Sequence, residues 1–238
     1  MAAAGFGDSV EGIHAVEAAL AAGRVQRLYV EQGRGDRFLD ASRTHGIEVR
    51  VVDDVRPMAR TTAPQGVVAT CWPISFVGID ELIDADDPAS LLLVDHVEDP
   101  HNVGAIVRSA VAAGVPRVVV PRRRSAPLGA AAFKAAAGAL ERCQVAEVSS
   151  IADAVDRCKK RDVWTVGLDA DGDRPLFGLD LLDQPVAIVV GAETGLHHLV
   201  RQRVDVVASI PMSSEVESLN ASIAAALAVF EIGRVRRG

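Results

Sequence analysis

Apolar positions along this chain alternate between two rhythms, one near the 3.6-residue period of a helix and one of continuous or alternating strand-like runs. Residues 12–23, GIHAVEAALAAG, carry apolar side chains at helical spacing and stop at Gly23. RVQRLYVEQ (24–32) predicts a strand, DRFLDASRTHG (36–46) a helix closed by Gly46, IEVRVVD (47–53) a strand with alternating faces, and GVVATCWP (66–73) a further strand. Residues 1–73 thus form a small α/β unit. Residues 74–89, ISFVGIDELIDADDPA, turn acidic and predict a linker that holds one short helical turn.

From residue 90 the strands become uniformly apolar. SLLLVDHV (90–97) suits a strand buried on both faces of a parallel sheet. The helix NVGAIVRSAVAAG (102–114) and the strand RVVVP (117–121) complete a βαβ unit. An Ala-rich helix over 128–140 follows, then the strand AEVS (146–149), a helix over 151–161 and the strand VWTVGLD (163–169). PVAIVVG (185–191), a helix within 197–204, DVVASIPM (205–212) and a long helix from Leu219 to Arg234 complete the series. This alternation predicts an α/β domain over 90–238, with an open parallel sheet and helices on both faces.

Composition agrees with a globular chain: 238 residues, 49% hydrophobic and 24% charged. No apolar run approaches the ~18 residues of a membrane span, and the N-terminus lacks the basic and apolar regions of a secretory leader. A cytoplasmic protein with no membrane partner is expected. Cys71, Cys143 and Cys158 are scattered without a CxxC pair, which predicts buried thiols rather than disulfides or a zinc site. The net charge of −7 excludes a surface that is basic throughout. It leaves room for a nucleic-acid partner, because binding needs a local patch. Two basic clusters stand out, Arg122–Arg124 and GRVRRG at 233–238. A solvated surface explains either equally well.

In such sheets ligands sit beyond the carboxyl ends of the strands. Three loops there are unusual: DHVEDPHNVG (95–104), GAETG (191–195) and PMSSEVESLN (211–220). Helix starts offer free N–H groups and strand ends offer free C=O groups, so the loops could hold a small polar molecule largely by main chain. The first loop contains Asp95, His96, Glu98, Asp99 and His101, all metal-ligand types. Their spacing matches no standard zinc pattern, so no metal is expected. Asp99 and Asn102 suit helix caps, and Pro100 suits a helix start. DADGD (169–173) resembles the opening of a calcium loop, but its glycine is displaced and no glutamate follows at the right distance. No phosphate-binding glycine loop or nucleophile elbow is present.

Taken in order, DPHNVGAIVRSAVAAG, VVGAETG and IPMSSEVESLNASIAAALAVFEIGR resemble the three motifs of the SpoU (TrmH-like) RNA ribose 2′-O-methyltransferases. GIHAVEAAL and QGVVAT resemble the small L30e-like RNA-binding domain fused to the subgroup that methylates guanosine in bacterial 23S rRNA. The second motif is one residue shorter than the family pattern, and Pro64 stands where the family often has histidine.

The resemblance implies a C-terminal parallel-sheet domain with a deep trefoil knot, binding of S-adenosylmethionine in the knot, an RNA partner and a homodimer. It implies that Asn102 and Arg108 form the functional pair of the first motif, that Glu193 is the acid of the second, and that Ser218 and Asn220 are the polar residues of the third. Gly191, Ile210 and Leu219 fall at cofactor-binding positions. The same residues admit a bland reading, with Asn102, Ser218 and Asn220 as caps and Glu193 as a surface acid. Methylation of tRNA, or RNA binding on a degenerate methyltransferase fold, are the alternatives to rRNA methylation. The fused N-terminal unit favours rRNA, and the presence of every motif residue favours an enzyme.

Overall fold

The computed structural model describes residues 5–34, 37, 38, 40, 44, 46–85, 89–213 and 218–237. The helix expected over 36–46 falls largely outside them. The N-terminal unit contains strands β1 (Gly5–Phe6), β2 (Ser9–Glu11), β3 (Val25–Glu31), β4 (Glu48–Val52), β5 (Val67–Cys71) and β6 (Ile74–Ser75), with helix α1 (Ile13–Ala21). Its four-stranded sheet runs β2-β5-β3-β4, with β3 and β4 parallel. The short strand β6 pairs antiparallel with β1. The Gln65 side chain accepts the Ile13 N–H at 3.1 Å and so caps α1.

The stretch expected to be a linker with one short helical turn holds that turn against the fold. Helix α2 (Ile79–Asp84) buries Ile79, Leu82 and Ile83. Beyond it come β7 (Ser90–Asp95), α3 (Pro100–Ala113), β8 (Arg117–Pro121), α4 (Ala130–Ala136), β9 (Gln144–Val148) and α5 (Ile151–Lys159). They are followed by β10 (Trp164–Leu168), β11 (Arg174–Pro175), β12 (Val186–Gly191), α6 (His198–Arg203), β13 (Val206–Ser209) and α7 (Ala221–Arg237). The seven strands form one parallel sheet in the order β11-β13-β10-β12-β7-β8-β9.

All six residues of β7 are buried, because both sheet faces are covered. Leu92 and Val94 point into a core with α3, α4 and α7, while Leu91 and Leu93 point into a second core with α2, α5 and α6. Helix α3 starts at Pro100 beneath an Asp99 cap, whose carboxylate accepts the His101 N–H at 2.9 Å. It ends at Gly114 in the left-handed conformation. Gly104 lets α3 approach α4 closely, since a Cβ there would stand 2.4 Å from the Ala132 carbonyl oxygen. Helix α4 is shorter than the alanine pattern suggests. Ala137 and Gly138 both adopt positive φ and turn the chain into a 3₁₀ turn at Ala139–Arg142.

The two units share a contact through Arg24. Its guanidinium bonds Glu141 through Nε at 2.7 Å and through Nη2, reaches the Gly7 carbonyl at 3.1 Å and the Trp72 carbonyl, and lies 5.6 Å from the centre of the Phe133 ring. Among the described residues no helix is long and apolar enough to cross a membrane.

Candidate active site

The carboxyl edge of the sheet brings the ends of β7, β12, β10 and β13 side by side. Asp95, the last residue of β7, is fully buried. One of its oxygens lies 2.6 Å from Nδ1 of His96, and the other accepts the His197 N–H at 2.8 Å. It therefore fastens the loop after β7 to the loop after β12. His96 takes a left-handed φ of 59°, and its ring stacks 5.2 Å from that of His197. His101 is exposed, and its backbone N–H meets the Asp99 cap.

A cavity of about 340 Å³ opens beside this junction. Its lining comes from three strand ends and the start of α7. Leu168, Asp169 and Asp171 come from the β10 end, Gly191–Gly195 follow β12, Ile210 and Met212 follow β13, and Ser218, Leu219, Ala221 and Ala224 belong to the approach to α7 and its first turn. The loop at 191–195 folds tightly on itself. The Gly195 N–H donates to the Ala192 carbonyl at 2.9 Å, and a Cβ on Gly191 would come within 2.2 Å of the Gly195 carbonyl oxygen. Any side chain at 191 would force this loop apart. A cavity of this size, walled by aliphatic groups and edged by main chain and carboxylates, suits a small ligand with both an apolar part and polar groups.

Five of the sequence-predicted residues line this cavity: Gly191, Glu193, Ile210, Ser218 and Leu219. Asn102 and Asn220 meet each other beside it, the Asn220 Nδ2 donating to the Asn102 Oδ1 at 3.1 Å. Asn220 also caps α7 by accepting the Ser222 N–H at 2.8 Å. Asn102 does not cap α3, because Asp99 already does. Its amide links the first motif to the third instead. Arg108 does not line the cavity. It lies six positions beyond Asn102, about 9 Å along the helix, on the exposed side of α3, and its side chain has no hydrogen bond or ion pair among the described residues.

Sequence reasoning missed Asp169 and Asp171, which belong to the segment that reads as a polar turn. Asp169 pairs with Arg201 at 2.6 Å and faces the cavity. It also missed the tether at Asp95. Among the described residues no three His, Cys, Asp or Glu side chains are grouped to hold a metal ion. All three cysteines are buried, and burial pushes each thiol up to about 12. The C-terminal basic cluster is engaged by groups of the fold, although Arg234 and Arg237 are exposed. Arg236 bonds the Ser90 hydroxyl at 2.8 Å and the Gln184 carbonyl at 2.6 Å, Arg234 pairs with Glu231, and Arg237 reaches the Ala113 carbonyl at 3.3 Å.

Comparison with known proteins agrees with this geometry. Residues 89–230 match the SpoU rRNA Methylase family, and residues 9–77 match the domain described as RNA 2′-O ribose methyltransferase substrate binding. The 23S rRNA (guanosine-2′-O-)-methyltransferase RlmB of Bordetella pertussis is 40% identical over 95% of this chain and 97% of its own. Its counterpart in Shewanella oneidensis is 38% identical over 97% of this chain and 98% of its own. The crystal structure of the SpoU methyltransferase AviRb from Streptomyces viridochromogenes with the cofactor AdoMet superposes with a TM-score of 0.81 at 26% identity, over 96% of this chain and 90% of that one. The cavity at the strand ends, the motifs that line it and the match across both units have one conclusion: the chain belongs to the SpoU rRNA methylase family.

Proposed function

We propose that this enzyme transfers a methyl group from S-adenosylmethionine to the ribose 2′-hydroxyl of a guanosine in 23S rRNA, in the cytoplasm and as a homodimer. The observation that carries the reading is the single cavity gathering Gly191, Glu193, Ile210, Ser218 and Leu219, with the Asn102–Asn220 bond beside it. The substrate follows from the relatives named above, and the cofactor from the AviRb complex.

The residues present suit that cofactor. Leu168, Val190, Ile210 and Leu219 offer an apolar wall for a flat base, the 191–195 main chain offers donors and acceptors at close range, and Glu193 and Ser218 add polar groups at the exposed side. When bound, S-adenosylmethionine supplies a methyl group on a positively charged sulfur. The chain must hold the ribose oxygen in line with that methyl, and fixed loops favour this by positioning. Arg108 serves as a clamp on the target phosphate and polarises the hydroxyl, since guanidinium stays charged and grips phosphate through two parallel N–H groups.

Residues 1–73 act in this scheme as the RNA-reading unit, 74–89 as the connection and 90–238 as the methyl-transfer unit. The trefoil knot belongs to the proposal. Its support is the strand order, in which β13 crosses to the far side of β10 after β12 has entered beside β7. The dimer is supported by Ile223 and Phe230, which are 51% and 47% exposed and lie two turns apart on α7.

The test is methyl transfer from labelled S-adenosylmethionine to a 23S rRNA transcript and to bulk tRNA, with mapping of the product. One 2′-O-methylated guanosine in the 23S transcript is expected. Methylation of tRNA alone overturns the substrate, and incorporation into neither RNA overturns the function. Light scattering at micromolar concentration should give a dimer that Phe230→Asp weakens.

A further inference from the structure

We propose that the loop Arg122–Arg124 is an RNA-backbone contact that grips phosphates of the strand flanking the target nucleotide. This rests on the RNA methyltransferase reading above and adds a surface that none of the three motifs includes. The loop follows β8, the strand beside β7. Two strand spacings, about 10 Å, separate it from the β12 end that lines the cavity.

The loop is fastened at both ends. The Arg122 N–H donates to the Val148 carbonyl at 2.8 Å, and the Ala126 N–H donates to the Val97 carbonyl at 3.0 Å. The second bond ties it to the segment between Asp95 and Asn102, so the loop backbone sits beside the first motif. Arg122, Arg123 and Arg124 are all exposed. Arg122 pairs with Glu147 at 2.8 Å, while Arg123 and Arg124 have no partner among the described residues. Arg124 holds φ at 55°, a left-handed backbone that L side chains rarely adopt and that persists where its surroundings enforce it.

The contrast with the C-terminal basic cluster gives this weight. There Arg234, Arg236 and Arg237 are engaged by carboxylate, hydroxyl or carbonyl groups of the fold. At 122–124 two adjacent cations are left unneutralised on a chain of net charge −7. A local patch of this kind attracts a polyanion against the overall charge. Guanidinium forks match phosphate, and backbone contacts fix register without reading sequence. The partner that fits is the sugar–phosphate strand entering the cavity.

The test uses the full chain with Arg123→Ala and Arg124→Ala combined, since both side chains are exposed and the fold should be retained. Affinity for the 23S transcript is measured against salt concentration, together with kcat and KM for methyl transfer and calorimetry with S-adenosylmethionine. We expect KM for RNA to rise about tenfold and the slope of log K against log salt to shrink by about 1.4, as for two single-strand phosphate contacts. The fall in kcat should be much smaller, with cofactor affinity unchanged. The doubly lysine-substituted variant should recover most of the slope. An unchanged slope and KM, in a protein whose wild type methylates the transcript, would overturn this contact and leave the proposed function standing. A wild type that methylates no RNA would overturn the proposed function instead.

Discussion

Asp95 and Arg108 sit at opposite ends of what single residues do here. Asp95 is fully buried and joins two loops, so Asp95→Ala leaves the His197 N–H without its acceptor at a cost of about 1–3 kcal/mol. We predict a lower urea midpoint and weaker binding of S-adenosylmethionine, with Asp95→Asn losing less of both. Equal cofactor affinity in Asp95→Ala and wild type would show that the tether does not shape the cavity. Arg108 is exposed and its side chain has no partner among the described residues, so Arg108→Ala should leave the melting temperature and cofactor affinity intact. Methyl transfer to RNA should fall about 100-fold or more, and Arg108→Lys should fail as well, which steady-state kinetics would show. Near wild-type turnover in Arg108→Ala would reopen the assignment. The motif residues could be read from the chain because ordered motifs name positions directly. Asp169 and Asp171 could not, because DADGD has the composition of any polar turn. Only the pairing of β10 with β12 brings that turn to the cavity, and pairing between distant strands is not a local property.

At the scale of elements, periodicity located most helices and strands because each has one buried face or two. It misplaced the end of α4, where alanines continue at helical spacing past a backbone that turns left-handed at Ala137. It read 74–89 as a linker with one short helical turn, and that turn is α2, but acidic neighbours hid how deeply Ile79, Leu82 and Ile83 are buried in the second core. Helix α7 illustrates how an element is fixed by charge. Glu231 accepts Arg234 Nε at 2.8 Å and the Gly178 N–H at 3.2 Å, pinning the turn after β11 to the helix. The Arg234 guanidinium holds the Glu231 carboxyl below its ordinary value of 4.5. A depressed folded value means that this contribution is complete above pH 4.5 and disappears as the pH falls through the lower, folded value. Glu231→Gln should therefore be less stable than wild type at pH 7, with the difference narrowing in acid. Urea midpoints measured from pH 7 down to pH 3 would check it, and a gap that stays constant would count against the pairing.

For the whole molecule, the join between the two units matters most. The Arg24 and Glu141 side chains are 12% and 3% exposed, so removing one partner strands a buried charge. Arg24→Ala should cost about 3–5 kcal/mol and reduce RNA methylation more than cofactor affinity, whereas removing both charges together should be milder. A double-mutant cycle read by denaturation and methyl transfer would settle the coupling, and additive effects would argue against a fixed join. The two units were legible in the chain but this contact was not, because residues 24 and 141 lie outside every motif and in different units. The order of the large sheet has a further consequence, for synthesis of the chain. Central strand β7 lies between β8 and β12, and β12 begins roughly 90 residues after β7 ends. At about 5–20 residues per second, the ribosome needs roughly 5–20 s to deliver it. During that interval β7 can pair on one side only, and its other edge carries the apolar run Leu91–Val94 with open backbone groups. The nascent chain is thus most exposed to misassociation before the methyltransferase sheet is complete, and chaperone dependence should peak in that window.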